Sequence, residues 1–260
     1  MNFRRRALGQ HFLRDPAVAR AIVDLIAPGP NDLVVEIGPG EGALTDELER
    51  RAGRVLALEV DAALVARLRE RFSRVEVLET DARRWPYGGL AAPPGGRVLV
   101  AANLPYSVAK PILQSLIAAR TAIHEMALML QREVAERVAA APGGRTYGTL
   151  SILTQLYSDV RVALRVPPGA FRPPPKVESA VLHLRVLPRP RVPLADERRF
   201  AGVVRAAFAQ RRKTLANALA GSLGITTDQV RAAAEAAGID AGRRAETLTI
   251  PEFAALASRL

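Results

Sequence analysis

Three places in this sequence carry residue types that could act together. The first is Glu36-Ile37-Gly38-Pro39-Gly40-Glu41-Gly42. Glycines there let the backbone turn sharply and approach a ligand closely. Read as Gly-x-Gly-x-x-(Gly/Ala) over Gly38, Gly40 and Ala43, the segment also fits a dinucleotide fingerprint. The second place is a pair of acids. Glu59 lies 17 residues beyond Gly42, where a carboxylate can accept two ribose hydroxyls. Asp81 follows a further apolar run, where a side chain can meet an adenine edge. Together these describe a nucleoside pocket, and both NAD and S-adenosylmethionine satisfy it. The third place is Asn103-Leu104-Pro105-Tyr106. Its chemistry suits alkylation of an amine. The Asn103 side-chain oxygen and the Leu104 backbone carbonyl can accept the hydrogens of an exocyclic amino group and aim its lone pair at a methyl donor. Neutral oxygens also stabilise the cationic charge that develops on nitrogen. Pro105 stiffens the turn, and Tyr106 offers a face for a base to stack on.

Strands must deliver these residues to one edge. Apolar runs at 33–37, 55–58, 75–78, 98–102 and 126–130 read as buried strands. Helical patterns fill 41–52, 61–72, 107–119, 133–140 and 150–157. On 61–72, Leu64, Leu68 and Phe72 share a face. This alternation predicts an α/β fold with a mostly parallel, doubly wound, Rossmann-like sheet. Strands at 160–166 and 177–187 have no helix between them and are expected to pair antiparallel at the sheet edge. Pro188-Arg189-Pro190-Arg191-Val192-Pro193 is a stiff break. Beyond it the pattern is helical only, at 196–209, 212–221, 227–237 and 251–259. The expected division is a first domain over 1–187 and a small all-α domain over 188–260.

Composition narrows the chemistry. With no cysteine, disulfides, Cys-based zinc sites, iron–sulfur clusters and thiol catalysis are excluded. The three histidines, His11, His124 and His183, lack metal-ligand spacing, so no metal is expected. No apolar run approaches the ~18 residues of a membrane span. The N-terminus makes a poor secretory signal, so a cytoplasmic protein with no membrane partner is expected. The net charge of +11 implies an anionic partner, nucleic acid ahead of a membrane surface.

Asn-Leu-Pro-Tyr resembles the (Asn, Asp or Ser)-(Pro, Ile or Leu)-Pro-(Tyr or Phe) motif of methyltransferases that act on amino groups of bases. Together with Glu-Ile-Gly-Pro-Gly it resembles the rRNA adenine N6,N6-dimethyltransferase family. Gly9-Gln10-His11-Phe12-Leu13, Tyr147-Gly148-Thr149-Leu150-Ser151 and the segment from Phe171 to Ser179 (Phe-Arg-Pro-Pro-Pro-Lys-Val-Glu-Ser) are similar to further motifs of that family. Phe208-Ala209-Gln210-Arg211-Arg212-Lys213-Thr214-Leu215 resembles its small-subunit branch. The resemblance implies a class I S-adenosylmethionine methyltransferase domain. Gly38 and Gly40 would hold the methionine part of S-adenosylmethionine, Glu59 the ribose and Asp81 the adenine. His11 and Leu13 would lie over the cofactor. Asn103 and Leu104 would hold the target amine, with Asn103 also touching the cofactor, and Tyr106 and Phe171 would sandwich a flipped adenine. The implied reaction places two methyls on each of two adjacent adenosines near the 3′ end of small-subunit rRNA, with the immature 30S particle as partner and the enzyme a monomer.

A base within folded RNA must leave its stack to reach such a pocket, and phosphate contacts supply much of the affinity. Candidate contacts are Arg4, Arg5 and Arg6, then Arg211, Arg212 and Lys213, with Arg243 and Arg244 behind them. Three other readings compete: a large-subunit rRNA adenine dimethylase of the macrolide-resistance kind, a non-catalytic nucleic-acid factor, and an NAD-dependent oxidoreductase. The last leaves Asn-Leu-Pro-Tyr and Phe171 without a role.

Overall fold

The computed structural model describes residues 11–260. By internal contacts the chain divides into two compact units. The first holds the described residues up to Ala135 together with Asp159–Val186; the second holds Glu136–Ser158 and Leu187–Leu260. The second unit therefore draws in 136–158 as well as the helical stretch expected from the sequence.

The strands are β1 (Phe12–Leu13), β2 (Leu33–Ile37), β3 (Arg54–Glu59), β4 (Val75–Glu79), β5 (Val98–Asn103), β6 (Glu125–Gln131), β7 (Ser158–Val166), β8 (Phe171–Arg172) and β9 (Ser179–Val186). Seven of them form one sheet in the order β4-β3-β2-β5-β6-β9-β7. The pairs β4–β3, β3–β2, β2–β5 and β5–β6 are parallel, and β6–β9 is antiparallel. The two late strands do lie side by side at the sheet edge. The order reverses direction between β2 and β5, and that is where open parallel sheets bind ligands. Every residue of β2 is buried, as expected of a strand covered on both faces.

The helices of the first unit are α1 (Pro16–Ile26), α2 (Thr45–Arg51), α3 (Ala62–Arg71) and α4 (Ala109–Ala118). The pattern reading leaves out α1. Its signals are an Asp15–Pro16 start, with the Asp15 carboxylate capping the amides of Ala17 and Val18, and a buried face of Ala19, Ile22, Val23 and Ile26. Helix α2 starts four residues later than expected, because Gly42 sits at φ +87°, outside helical space. Leu64, Leu68 and Phe72 are buried, as the spacing on α3 requires.

Helix α5 (Arg132–Val138) follows β6, and α6 (Thr149–Gln155), α7 (Glu197–Ala209), α8 (Leu215–Leu223), α9 (Thr227–Ala236) and α10 (Ile250–Ala257) lie in the second unit. Phe200, Leu219, Phe253 and Leu256 are almost completely buried in that unit. The Tyr147–Ser151 motif builds its framework. The Ser151 hydroxyl donates to the Arg137 carbonyl (2.5 Å) and accepts from the Gly148 amide (3.1 Å).

Candidate active site

Register explains why the chemistry-bearing residues meet. Leu58 of β3 and Ala102 of β5 both pair with Ile37 of β2. The next residue along each strand is Gly38, Glu59 or Asn103, so all three emerge together at the carboxyl edge. They line one cleft with His11, Leu13, Glu36, Gly40, Leu104 and Tyr106.

The glycine loop and the acids form one wall. Gly38 and Gly40 adopt φ of +67° and +60°, a left-handed region that L side chains rarely enter. A Cβ at Gly40 would lie 2.9 Å from the Phe12 ring. The Gly38 amide donates to the Leu58 carbonyl (2.9 Å), and the Gly40 amide donates to Glu59 Oε2 (3.2 Å). Glu59 Oε1 accepts from the amides of Val60 (2.8 Å) and Asp61 (3.0 Å). Burial pushes the Glu59 carboxyl above its ordinary range, against the pull of these three amides.

Glu36, near the end of β2, lines the cleft too, although as the opening residue of the glycine segment it was given no role of its own. It is 1% exposed. Its Oε2 accepts from the Thr45 hydroxyl (2.7 Å), while Oε1, also buried, has no partner among the described residues. Burial, with Glu59 nearby, pushes its carboxyl up to about 8. A buried acid with one orphan oxygen on a cleft wall awaits a donor. The signal for it was available in the sequence: an acid near the close of an otherwise wholly apolar strand.

Asp81 follows β4 at the same edge, one residue beyond Thr80, whose amide bonds the Glu59 carbonyl (2.8 Å). Its carboxylate is taken up by Arg83, with Nε contacts of 2.9 and 3.0 Å, and that guanidinium holds the carboxyl below the ordinary carboxylate range. Asp81 is not among the residues lining the cleft.

The opposite wall is the Asn103–Tyr106 turn, tied at three points. Asn103 Nδ2 donates to the His11 carbonyl (3.0 Å). A carbonyl only accepts, so the amide is oriented and Oδ1 is the acceptor, without a partner among the described residues. The Leu104 amide donates to the Met129 carbonyl (3.1 Å). The Tyr106 hydroxyl shares a hydrogen bond with Ser179 Oγ (2.8 Å). His11 is doubly committed, since its Nδ1 also bonds the Pro173 carbonyl (2.8 Å).

Phe171 departs from expectation. It is 5% exposed, lies outside the cleft lining, and packs in the core with Leu13 and Ala170. The cause is a pairing that the pattern reading did not foresee: β8 runs antiparallel to β1, with Leu13 opposite Phe171. Among the described residues the His11 ring lies beside that of Tyr106, with centroids 5.7 Å apart and planes tilted by 36°.

The basic clusters divide as well. Arg4, Arg5 and Arg6 lie outside the described residues. Arg211 Nη2 donates to the carbonyls of Arg145 (2.7 Å) and Tyr147 (3.0 Å) and pairs with Glu246 (3.7 Å), so it works as a staple inside the second unit. Arg212 and Lys213 are exposed, in the loop before α8 rather than within a helix. Arg243 is bound by Glu252 (2.5 Å). Among the described residues no group of three His, Asp or Glu is placed to hold a metal ion, and no helix is long and apolar enough to cross a membrane.

Comparison with known proteins agrees with this geometry. The family profile described as ribosomal RNA adenine dimethylase matches residues 1–260. A protein of Geobacter sulfurreducens named ribosomal RNA small subunit methyltransferase A is 45% identical, covering 98% of this chain and 95% of the relative. One of the same name from Moorella thermoacetica is also 45% identical, over 98% of this chain and 92% of the relative. Among solved structures, the 23S rRNA methyltransferase ErmE superposes with TM-score 0.73 at 26% identity, covering 96% of this chain and 99% of that one. A dimethyladenosine transferase from Plasmodium falciparum shares the fold, with TM-score 0.78 at 24% identity over 95% and 96%.

Proposed function

The chain belongs to the ribosomal RNA adenine dimethylase family, and from that premise we propose that it methylates N6 of two adjacent adenosines near the 3′ end of small-subunit rRNA, giving N6,N6-dimethyladenosine. The names of its 45%-identical relatives support the small subunit over the large one. The partner is then the rRNA of an immature 30S particle, met in the cytoplasm by a monomeric enzyme.

The methyl donor of this family is S-adenosylmethionine, which supplies an electrophilic methyl group on a sulfonium. The residues present fit it. The orphan Oε1 of Glu36 would accept from the ammonium of its methionine part, beside the cradle at Gly38 and Gly40. Glu59, already on three amides, keeps one acceptor site, on Oε2, for a ribose hydroxyl. Val60, exposed next to it, offers an apolar face for the adenine. Asp81 would reach the adenine amino group by sharing its carboxylate with, or giving up, Arg83. Leu13 and the His11 backbone cover the same cleft.

One observation carries the acceptor side: the Asn103 amide is fixed by the His11 carbonyl, which leaves Oδ1 on the cleft wall. That oxygen and the Leu104 carbonyl would hold the two hydrogens of the target amine. They favour a pyramidal nitrogen and stabilise its positive charge as the new bond forms. The alkylated amine then sheds a proton to solvent, so no strong base is required. Tyr106 supplies the stacking face. Phe171 serves as a second wall only if it leaves the core; in this structure it anchors the strand that carries His11 toward the site.

The test is transfer of labelled methyl groups to undermethylated small subunits, large subunits and free rRNA, with mass spectrometry of the nucleosides. Dimethyladenosine in small-subunit rRNA is the expected result. Label in large-subunit RNA alone would move the protein to the resistance type.

A further inference from the structure

The Tyr106 ring needs its hydroxyl for no step of the proposed chemistry, because a base stacks on the ring face. Yet that hydroxyl meets Ser179 Oγ at 2.8 Å, and Ser179 is wholly buried. Ser179 opens β9 and pairs in register with Gln131, at the end of β6. Two residues earlier on β6, Met129 holds the Leu104 amide. The acceptor turn is therefore fixed to the β6–β9 pair at two positions, Leu104 by backbone and Tyr106 by side chain. A Tyr ring turns about two side-chain dihedrals, and the backbone bond to Leu104 fixes neither of them. The phenol–serine bond pins the far end of the ring.

We propose that Ser179 is a positioning residue for methyl transfer: by holding the Tyr106 hydroxyl it sets the plane on which the acceptor base stacks relative to Asn103 Oδ1. This rests on the methyltransferase reading above. Ser179 touches neither donor nor acceptor. Its effect belongs on turnover, and cofactor affinity should not change, since the Glu36, Gly40 and Glu59 wall lacks any bond to it.

The experiment is a double-mutant cycle. Ser179→Ala should slow single-turnover methyl transfer by about tenfold, the size of one lost hydrogen bond, with unchanged affinity for S-adenosylmethionine by calorimetry. Tyr106→Phe should slow it by a similar factor, and the double variant should be no slower than either single one. Ser179→Thr, which keeps a hydroxyl, should recover most of the rate. Additive losses, or a Tyr106→Phe variant as fast as wild type, would overturn the proposal. Should Ser179→Ala fail to fold, the Tyr106→Phe and Ser179→Thr arms still decide. A measurement without turnover separates this inference from the functional reading. One of the two hydroxyl protons, that of Tyr106 or that of Ser179, should be visible by NMR as slowly exchanging, and should vanish in both Ser179→Ala and Tyr106→Phe. Fast exchange of both hydroxyl protons in the wild type would remove the bond, whatever the substrate proves to be.

Discussion

The wall built from Glu36, Gly38, Gly40 and Glu59 is held by backbone amides and short-range contacts. The wall built from Asn103, Leu104 and Tyr106 is held by groups reaching in from distant segments. Gly40 and Glu59 are 19 positions apart, and Glu36 and Thr45 only 9. Asn103 and His11 are 92 apart, and Tyr106 and Ser179 are 73 apart. The first wall is thus a product of two adjacent parallel strands, β2 and β3, and the loop that leaves β2. The second needs β1, β8 and β9 in place as well. The first therefore suits a ligand of fixed shape, and the second a base whose approach must be aligned each time.

If that contrast holds, breaking the acceptor wall should destroy turnover while largely sparing cofactor binding. Asn103→Ala should cut single-turnover transfer by roughly a hundredfold or more, in the range seen when one preorganised polar group is removed from a transition-state site. The fold should stay near wild type by circular dichroism, and the affinity for S-adenosylmethionine, which the resemblance has Asn103 also touch, should fall far less than the rate, read by calorimetry. Turnover within a few-fold of wild type would take Asn103 out of the mechanism.

Glu36 sharpens the other side. Its carboxyl titrates near 8 in the folded protein and near the ordinary range when unfolded. Between those values the folded state binds the extra proton, so stability is full at low pH and falls as pH rises through the window. At about 1.4 kcal/mol per unit the effect can reach several kcal/mol. Glu36→Gln should flatten the decline of Tm between pH 5 and 8 and be the more stable protein at pH 8. It should also bind S-adenosylmethionine more weakly. At pH 7, binding to the wild type should release a proton, seen by calorimetry in buffers of different ionisation enthalpy. No such release, or a variant that binds as tightly, would dissociate Glu36 from the ammonium.

Glu59→Gln keeps the shape of the side chain and removes the charge. It should weaken cofactor binding by about 1.5–3 kcal/mol, as for a hydrogen bond to a charged group, and also lower Tm, because the carboxamide nitrogen cannot accept from the amide at the oxygen it replaces. An unchanged calorimetric constant would end the ribose assignment.

The two walls also differ in how far a reader of the sequence could foresee them. Apolar runs closed by Gly38, Glu59 and Asn103 announce both the sheet and its active edge, since strand periodicity is a local property. Glu36 was readable too, as the one acid in a buried strand, but an acid in such a strand is easily taken for part of the run. The pairing that buries Phe171 was not readable. It joins two residues to β1, and strands that short carry no periodic pattern. The bond to Ser179 is hidden for the same reason, since a serine ending a proline-rich loop gives no sign of which ring it will meet.

Arg211, Arg212 and Lys213 make the smallest contrast, within one run of charge. All three are exposed, but Arg211 is spent on two carbonyls and Glu246 inside the second unit. Arg211→Ala should therefore lower stability by about 1 kcal/mol, with part of the loss in the two carbonyls it leaves without a donor. It should leave the salt dependence of rRNA binding nearly unchanged. Replacing Arg212 and Lys213 with glutamate should do the reverse: unchanged Tm, and a binding slope against log salt shallower by roughly one for each phosphate no longer neutralised. Equal effects of the two variants on the salt slope would mean that Arg211 also faces the RNA. No effect from either would make the run structural throughout and shift the phosphate-binding role to other arginines of this strongly basic chain.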